Sequence, residues 1–227
     1  MRKFQLFIKR AFDIIASLTL IIILTVIPVF IIVPILIRLT SKGPAVFTQE
    51  RVGKNGRIFK IYKFRTMRIP EDSLDENGNQ LPPKQRITKV GRILRKTSLD
   101  ELMQLFNILG GSMSFIGPRP TLPYQVERYT EEQKKRHDMR PGVTGWAQVN
   151  GRNELTWTEK IQYDLEYVEK FSLWFDIKVF FKTIAVVLGM KGIAFNKDDA
   201  ITAKEPAKET ATVAAGETET TASEENN

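Results

Sequence analysis

The fold is organised around the stretch Lys96-Thr97-Ser98-Leu99-Asp100-Glu101-Leu102-Met103-Gln104-Leu105-Phe106-Asn107. Ser98 followed three residues later by Glu101 is the pattern of a capping box, which predicts a helix that begins at Ser98. The apolar face of this helix would consist of Leu99, Leu102, Leu105 and Phe106. Taken alone, the pattern indicates a helix cap and no chemistry.

Three further features favour a chemical role for the adjacent carboxylates Asp100 and Glu101. One carboxylate can attack a substrate while its neighbour holds a cation, and arginines bracket the pair at Arg92, Arg95 and Arg119. The free N–H groups of a helix start suit a phosphate, and the helix dipole would keep an Asp nucleophile ionised. The stretch therefore predicts phosphate chemistry.

Length and composition narrow the classes of protein. The 227 residues favour one main domain with appendages. The chain has no cysteine, which excludes disulfides, cysteine zinc sites and thiol nucleophiles. The single histidine, His137, lies in a charged run and is predicted to be exposed to solvent. No signature supports a Ser-His-Asp triad through it.

The net charge of +8 is unevenly distributed. Residues 198–227 contain eight acids and two lysines, so residues 1–197 carry about +14. Such a basic body indicates an anionic partner, namely nucleic acid, an anionic membrane surface or phosphorylated substrates. Residues 197–227 are rich in Thr, Ala, Glu and Lys, and we expect a disordered acidic tail that the chemistry does not require.

Residues 14–37 carry no charge and are long enough for a membrane helix. Lysines and arginines are dense on both sides of this segment, whereas a spanning helix has an excess of basic residues on one side. Pro28 and Pro34 each favour a kink. The pattern predicts that residues 1–40 form a basic entry and a re-entrant helix with both ends in the cytoplasm. An ordinary kinked span is the alternative.

The remaining patterns predict a mainly helical α+β fold, in which one catalytic domain comprises residues 41–196. A β-hairpin is predicted from residues 46–52 and 57–64, with Asn55-Gly56 as its turn. Helices are predicted over residues 87–94, 121–139, 159–170 and 171–190. The last of these is apolar but contains charges, which favours an amphipathic helix at a membrane interface, with a core helix as the alternative.

Two irregular segments flank the predicted helix 121–139. Pro118 and Pro120 fix the backbone on either side of Arg119 and would aim its guanidinium group. Residues 140–152 are rich in glycine, and a role as plain turns and a functional role have equal weight. This segment lacks the dinucleotide and P-loop patterns, so it indicates no nucleotide-binding loop.

Several of these blocks, taken together, resemble a known family. They are Gly43-Pro44 with Phe47-Thr48-Gln49-Glu50-Arg51, Phe59-Lys60-Ile61-Tyr62-Lys63-Phe64-Arg65-Thr66-Met67, Ser98-Leu99-Asp100-Glu101-Leu102, Gly117-Pro118-Arg119-Pro120, and Arg140-Pro141-Gly142-Val143-Thr144-Gly145-Trp146-Ala147-Gln148-Val149-Asn150-Gly151-Arg152. Over roughly residues 8–190 the chain resembles the small monotopic phosphoglycosyl transferases, bacterial sugar transferases that consist only of a catalytic domain.

The resemblance implies transfer of a sugar-1-phosphate from a UDP-sugar to polyprenol (undecaprenyl) phosphate, with release of UMP. It implies that Asp100 forms a covalent phospho-sugar intermediate and that Glu101 holds Mg²⁺. The enzyme would act on the cytoplasmic face of the bacterial inner membrane, bound to the phospholipid bilayer, and nucleic acid is not an expected partner.

Other positions take their roles from the same resemblance. Arg95 and Arg119 match phosphate-binding residues, Lys63 and Asp164 match residues that line the active site, and Pro28 matches the kink of a re-entrant helix. The chain departs from many relatives in having Met103 in place of Pro, Ser112 in place of Asp and Ile27 in place of Ser, and Pro34 is an additional proline.

One rival hypothesis is a membrane-anchored protein without enzymatic activity, whose basic and aromatic residues 59–68 bind anionic lipid or nucleic acid. Such a protein has no need of the carboxylate pair. A second rival, a polytopic transferase, requires more than one hydrophobic segment. The sequence leaves N-acetylated amino sugars, galactose and glucose open as the sugar, and the biosynthetic pathway is also open.

Overall fold

The computed structural model describes residues 1–151 and 154–189, so the predicted tail and Arg152 lie outside the described residues. Its α-helices are α1 (Arg2–Val26), α2 (Val29–Thr40), α3 (Pro83–Arg86), α4 (Lys89–Lys96), α5 (Gln104–Leu109), α6 (Pro123–Val126), α7 (Glu131–Lys134), α8 (Trp146–Asn150), α9 (Trp157–Glu169) and α10 (Leu173–Leu188). Its strands are β1 (Val46–Val52), β2 (Ile58–Phe64), β3 (Ser114–Ile116) and β4 (Gly142–Thr144). The mainly helical α+β fold is thereby confirmed.

The predicted hairpin is confirmed. Strands β1 and β2 pair antiparallel, from Val46 opposite Phe64 to Val52 opposite Ile58. Asn55 and Gly56 adopt positive φ angles of 56° and 74°, as their turn-forming character indicates. Strands β3 and β4 form a second, parallel pair, in which Gly117 and Gly142 bring two backbones too close for side chains.

Among the described residues, no single helix is both long and apolar enough to cross a membrane. Helices α1 and α2 together meet that criterion by length and composition, and they are bent by 63° at a break that contains Pro28. This pair contains the apolar segment 14–37.

The N-terminal half of α1 is fastened to the rest of the protein by polar contacts. These contacts join Arg2 to the Val168 carbonyl (2.8 Å), Lys9 to Asp176 (2.7 Å), Arg10 to the Ile108 carbonyl (2.6 Å) and the Ser114 hydroxyl to Asp13 (3.1 Å). Most of the large apolar side chains from Leu18 to Val26 are exposed, as are many on α2. The first half of the helix therefore belongs to the folded body, whereas the bent region leaves an apolar surface uncovered.

The apolar core consists of clusters behind the site described below. One cluster joins α2, β2 and α4 through the buried side chains of Ile37, Phe64 and Leu94. Another joins α8, α9 and α10, where Tyr167 and Val179 have no exposed surface.

Helix α10 buries Val179 but exposes a stripe of large apolar residues on its other side. The stripe consists of Trp174, Ile177, Phe180, Phe181, Ile184, Val187 and Leu188. Their spacing of three or four residues is that of one helix face. Since Trp174 and Leu188 are about three-quarters exposed, at 75% and 77%, α10 is not the core helix of the alternative interpretation.

The prediction of one helix over residues 121–139 is wrong. The segment instead contains α6, α7 and a 3₁₀ turn over Lys135–Asp138. Thr130 starts α7 with its own capping box, since its hydroxyl accepts from the Gln133 amide (3.3 Å) and its amide donates to the Gln133 side chain (3.1 Å).

The predicted solvent exposure of His137 is also wrong. The side chain is 8% exposed and stacks on Tyr129, with ring centroids 6.0 Å apart. Burial lowers the pKa of His137 to about 4, assisted by the neighbouring Arg136. The imidazole is therefore neutral near pH 7 and forms part of the core.

Candidate active site

Helix α4 carries Arg95, the first cation of the site. The helix packs against the end of β2, and this contact determines where Arg95 lies. A Cβ atom on Gly91 would lie only 2.0 Å from the Thr66 carbonyl oxygen, so only glycine allows this approach. Arg95 lies one turn further along the same helix face. Its Nε donates to the Thr66 hydroxyl over 2.8 Å, which fixes the direction of the guanidinium group.

Ser98 does not cap a helix, so the capping-box prediction is wrong. The residue adopts a left-handed conformation with φ of 56°, which is unusual for a residue other than glycine. A 3₁₀ turn over Leu99–Glu101 follows, and α5 begins only at Gln104. The backbone reversal at Ser98 places both carboxylates on a tight turn between α4 and α5.

Glu101 is paired with a lysine on strand β2. Lys63 on β2 donates to its Oε1 over 2.9 Å, and both side chains are about one-third exposed or less. The Asn107 side chain holds α5 against β2, because it accepts from the Tyr62 amide (3.0 Å) and donates to the Lys60 carbonyl (2.8 Å). The hairpin and the carboxylate turn are thereby fixed relative to each other.

Asp100 is partly exposed and its pKa is raised to about 6. Burial is the largest cause and the charge of Glu101 adds to it, whereas the cations Lys63 and Arg95 oppose both. The expectation that a helix dipole holds this carboxylate ionised is wrong, because Asp100 lies in the 3₁₀ turn ahead of α5. Ionisation near pH 7 instead depends on the surrounding cations.

The donor set at this turn suits Mg²⁺ better than a metal held entirely by the protein. The described residues contain no group of three or more His, Cys, Asp or Glu side chains that could hold a metal ion. Mg²⁺ binds characteristically to one or two carboxylates and is completed by substrate phosphates and water. The crowded charges of Asp100 and Glu101 fit that requirement.

Arg119 and Asp164 form a second group. Asp164 has no exposed surface and makes an ion pair with Arg136, which is 2% exposed. Arg136 also donates to the Arg119 carbonyl over 3.1 Å. Burial raises the pKa of Asp164 to about 6, and Arg136 and Arg119 oppose this. Asp164 is therefore linked to the Arg119 backbone through Arg136, and it has no surface with which to touch a substrate.

Three residues of this arrangement were not predicted from the sequence. Thr66 orients Arg95, Asn107 holds α5 on β2, and Arg136 joins Asp164 to Arg119. Thr66 and Asn107 lie inside or beside the sequence blocks already singled out, which was an available signal. Arg136 lies in a charged run typical of a surface, and no local pattern marks it as buried.

Comparison with known proteins matches the chain to one family. The profile of the family described as bacterial sugar transferase matches residues 4–190. The chain is 44% identical over 186 residues to the uncharacterized sugar transferase EpsL of Bacillus subtilis (strain 168), which covers 82% of this chain and 90% of that protein.

Two longer relatives have more informative names. The chain is 44% identical over 187 residues to the UDP-glucose:undecaprenyl-phosphate glucose-1-phosphate transferase of Escherichia coli (strain K12), which covers 78% of this chain and 39% of that protein. It is 38% identical over 200 residues to the undecaprenyl-phosphate galactose phosphotransferase of Salmonella typhimurium, with coverages of 82% and 41%. The chain thus spans about two-fifths of the length of these two relatives. It belongs to the bacterial sugar transferase family and is an enzyme of the transferase class.

Proposed function

We propose that the chain transfers a sugar-1-phosphate from a UDP-sugar to undecaprenyl phosphate, a polyprenol phosphate, and releases UMP. The observation that carries this proposal is the partly exposed Asp100 carboxylate, which lies beside Glu101 and under the influence of Lys63 and Arg95. A lipid- or nucleic-acid-binding protein has no need of this arrangement. The names of the relatives, which include UDP-glucose and undecaprenyl phosphate, support the two substrate classes.

The reaction proceeds in two displacements at one phosphorus atom. In the first, an oxygen of Asp100 attacks the sugar-side phosphorus, the bond to the bridging diphosphate oxygen breaks, and UMP leaves with that electron pair. In the second, a phosphate oxygen of the polyprenol phosphate attacks the same phosphorus and the bond to Asp100 breaks. The carboxylate is regenerated and the product is a polyprenyl diphosphate sugar.

The other residues orient the phosphates and balance their charge. Arg95, fixed by Thr66, and Arg119, between its two prolines, bind phosphate oxygens. Lys63 restrains Glu101 and limits the rise in the pKa of Asp100 to about 6, so that the nucleophile is ionised near pH 7. Glu101 would hold Mg²⁺ together with the substrate, and the ion would offset the charge on the diphosphate when bound.

We further propose that the apolar surfaces place this site at the cytoplasmic face of the bacterial inner membrane. The exposed stripe of α10 suits a helix lying in the headgroup region. The bent pair α1–α2 suits a helix that enters the bilayer and returns. A site beside this surface can meet both a soluble nucleotide sugar and a membrane-bound acceptor.

Intact-protein mass spectrometry tests the chemistry. The enzyme is mixed with Mg²⁺ and one of UDP-glucose, UDP-galactose or UDP-N-acetylgalactosamine, without acceptor. We expect one equivalent of UMP and a mass increase of one phospho-sugar that maps to Asp100 and disappears when undecaprenyl phosphate is added. The matched control is Asp100→Asn, which should show neither. Normal turnover without an adduct, together with sequential kinetics, would rule out the covalent mechanism.

Single cysteines test the membrane arrangement, since the native chain has none. The substitutions Lys3→Cys and Lys42→Cys are at exposed positions on either side of the apolar segment 14–37. In intact cells, we expect neither to react with a membrane-impermeant maleimide added from outside, and both to react after lysis. Labelling of either cysteine in intact cells would contradict the re-entrant arrangement and support a membrane-spanning helix.

A further inference from the structure

The buried ion pair of Arg136 and Asp164 joins three parts of the chain at one guanidinium group. Arg136 lies in the 3₁₀ turn Lys135–Asp138 and Asp164 lies on α9. The Nη1 atom of Arg136 donates to the Tyr129 hydroxyl over 2.6 Å, and the guanidinium carbon lies 5.6 Å from the centre of that ring. The Nη2 atom donates to the Arg119 carbonyl over 3.1 Å and also contacts Asp164.

The backbone around Arg119 is held at every carbonyl from residue 118 to residue 121. The donors come from four places, namely Gly142 to Pro118 (2.9 Å), Arg136 to Arg119 (3.1 Å), Arg51 to Pro120 (3.2 Å) and Val52 to Thr121 (2.8 Å). These four hydrogen bonds hold the backbone of residues 118–121 in one conformation. They thereby fix the direction in which the Arg119 side chain projects from the backbone. Among these four donors, Arg136 alone holds the carbonyl of Arg119 itself.

Stability alone does not explain why this pair is ionic. Removing two charges from water is costly, and apolar residues of similar volume often give a fold that is equally or more stable. A pair that is 2% and 0% exposed pays this penalty in full. What the guanidinium group supplies, and an apolar side chain cannot, is a directed hydrogen bond to the Arg119 carbonyl.

We propose that Arg136, held in place by Asp164 and Tyr129, is a positioning residue that sets the direction of Arg119 for the reacting phosphate. This inference rests on the proposed function, in which Arg119 binds phosphate. It also gives Asp164 a role without contact with substrate: Asp164 orients Arg136, and Arg136 orients the backbone of Arg119.

A double-mutant cycle tests the proposal. The apolar pair Arg136→Met with Asp164→Leu is combined with Arg119→Ala, and kcat/KM for UMP release is measured with undecaprenyl phosphate and the fastest of the three UDP-sugars named above. We expect the apolar pair and Arg119→Ala each to lower kcat/KM by about 10- to 100-fold, since small displacements of positioning groups have effects of this size. In the apolar-pair background, Arg119→Ala should have less than about threefold further effect.

The matched control is the other largely buried ion pair described, Lys9 with Asp176, replaced by Lys9→Met and Asp176→Leu. Whatever its own effect, it should combine additively with Arg119→Ala. If the apolar pair does not fold, Arg136→Lys takes its place in the cycle, because lysine keeps the charge but cannot reach Asp164, Tyr129 and the Arg119 carbonyl together.

The outcomes separate this inference from the function on which it rests. Additive effects of the apolar pair and Arg119→Ala would overturn the positioning role and leave the phosphotransfer proposal intact. An unchanged kcat/KM for Arg119→Ala alone would remove Arg119 from the site and overturn the inference with it. Absence of UMP release from wild-type enzyme with all three UDP-sugars would instead contradict the proposed function for those donors.

Discussion

Asp100 and Asp164 both have a pKa near 6, and burial is the leading cause at both positions. Their surroundings are otherwise opposite. Asp100 is partly exposed and is influenced by Lys63 and Arg95, whereas Asp164 has no exposed surface and contacts Arg136 directly. A perturbed pKa marks a candidate for chemistry only where a substrate can reach the group. The same perturbation at a sealed position indicates an architectural role.

The largest expected effect on stability is at the sealed carboxylate. Asp164→Asn leaves the Arg136 guanidinium group buried without a counter-charge, which should destabilise the protein by about 3–5 kcal/mol. This corresponds to a fall in Tm of roughly 10 °C for a domain of this size, measured by scanning fluorimetry in detergent. Adding Arg136→Met should recover much of the loss, because no unpaired charge is then left. A Tm within about 2 °C of wild type for Asp164→Asn would contradict the sealed character of this pair.

The largest expected effect on rate, after loss of the nucleophile itself, is at Glu101. Glu101→Gln removes the proposed Mg²⁺ ligand and should slow single-turnover UMP release by about 10²–10³-fold, with the fold intact. The matched control is Glu50→Gln on β1, where the side chain is exposed. A loss of less than about threefold at Glu101 would mean that its pairing with Lys63 is only structural.

Asp100→Asn should raise stability near pH 7. At Asp164 the same change also removes the direct ion pair with Arg136, and we expect that loss to dominate there. An Asp whose folded pKa lies above its unfolded value of 3.8 binds protons more tightly in the folded state, so its ionisation destabilises the fold. The difference between a pKa of about 6 and one of 3.8 corresponds to at most about 3 kcal/mol, and to less because Asp100 is partly exposed. We expect a gain of about 1–2 kcal/mol for Asp100→Asn above pH 6.

The pH dependence identifies the cause of this gain. Well below pH 3.8 the carboxyl group is protonated in both states, so the difference between variant and wild type should approach zero, and it should grow as pH rises from there towards 6. Urea titrations from pH 4 to pH 8 without divalent ions measure this difference. A gain that does not change with pH would show that charge is not its source.

The sequence predicted the partly exposed carboxylates better than it predicted the buried pair of Arg136 and Asp164. Asp100 and Glu101 are adjacent in sequence, and the hairpin and the helices that became α9 and α10 follow from alternation and helical periodicity. The contacts of the candidate residues join distant positions, such as Lys63 with Glu101, 38 positions apart, and Arg136 with Asp164, 28 apart. Periodicity describes which face of an element is apolar, and it contains no information about such pairs.

Errors of local structure had two different origins. The boundary inside residues 121–139 was present in the sequence as Thr130 followed by Gln133, a capping box that the prediction did not use. The left-handed conformation of Ser98 has no local signal, because the pattern from Ser98 to Glu101 is equally typical of a cap. The contact of Glu101 with Lys63, a residue of another element, is also absent from that local pattern.

The smallest expected effect concerns the packing of α4, which orients Arg95 beside Asp100. This packing relies on a close backbone contact, whereas the surroundings of Asp164 rely on a charge pair. Gly91→Ala would place a Cβ atom 2.0 Å from the Thr66 carbonyl oxygen, so α4 must move away from the end of β2. Overpacking of this kind costs about 1–3 kcal/mol, and the higher helix propensity of alanine offsets up to about 1 kcal/mol. The displacement also draws Arg95 away from the Thr66 hydroxyl, so kcat for UMP release should fall by about 3- to 10-fold while KM changes less.

Gly110→Ala is the matched control, since Gly110 is also in a right-handed helical conformation but is exposed, with its nearest atom 3.2 Å from the added Cβ. Equal activity of the Gly91 and Gly110 variants would show that the position of α4 does not determine the orientation of Arg95.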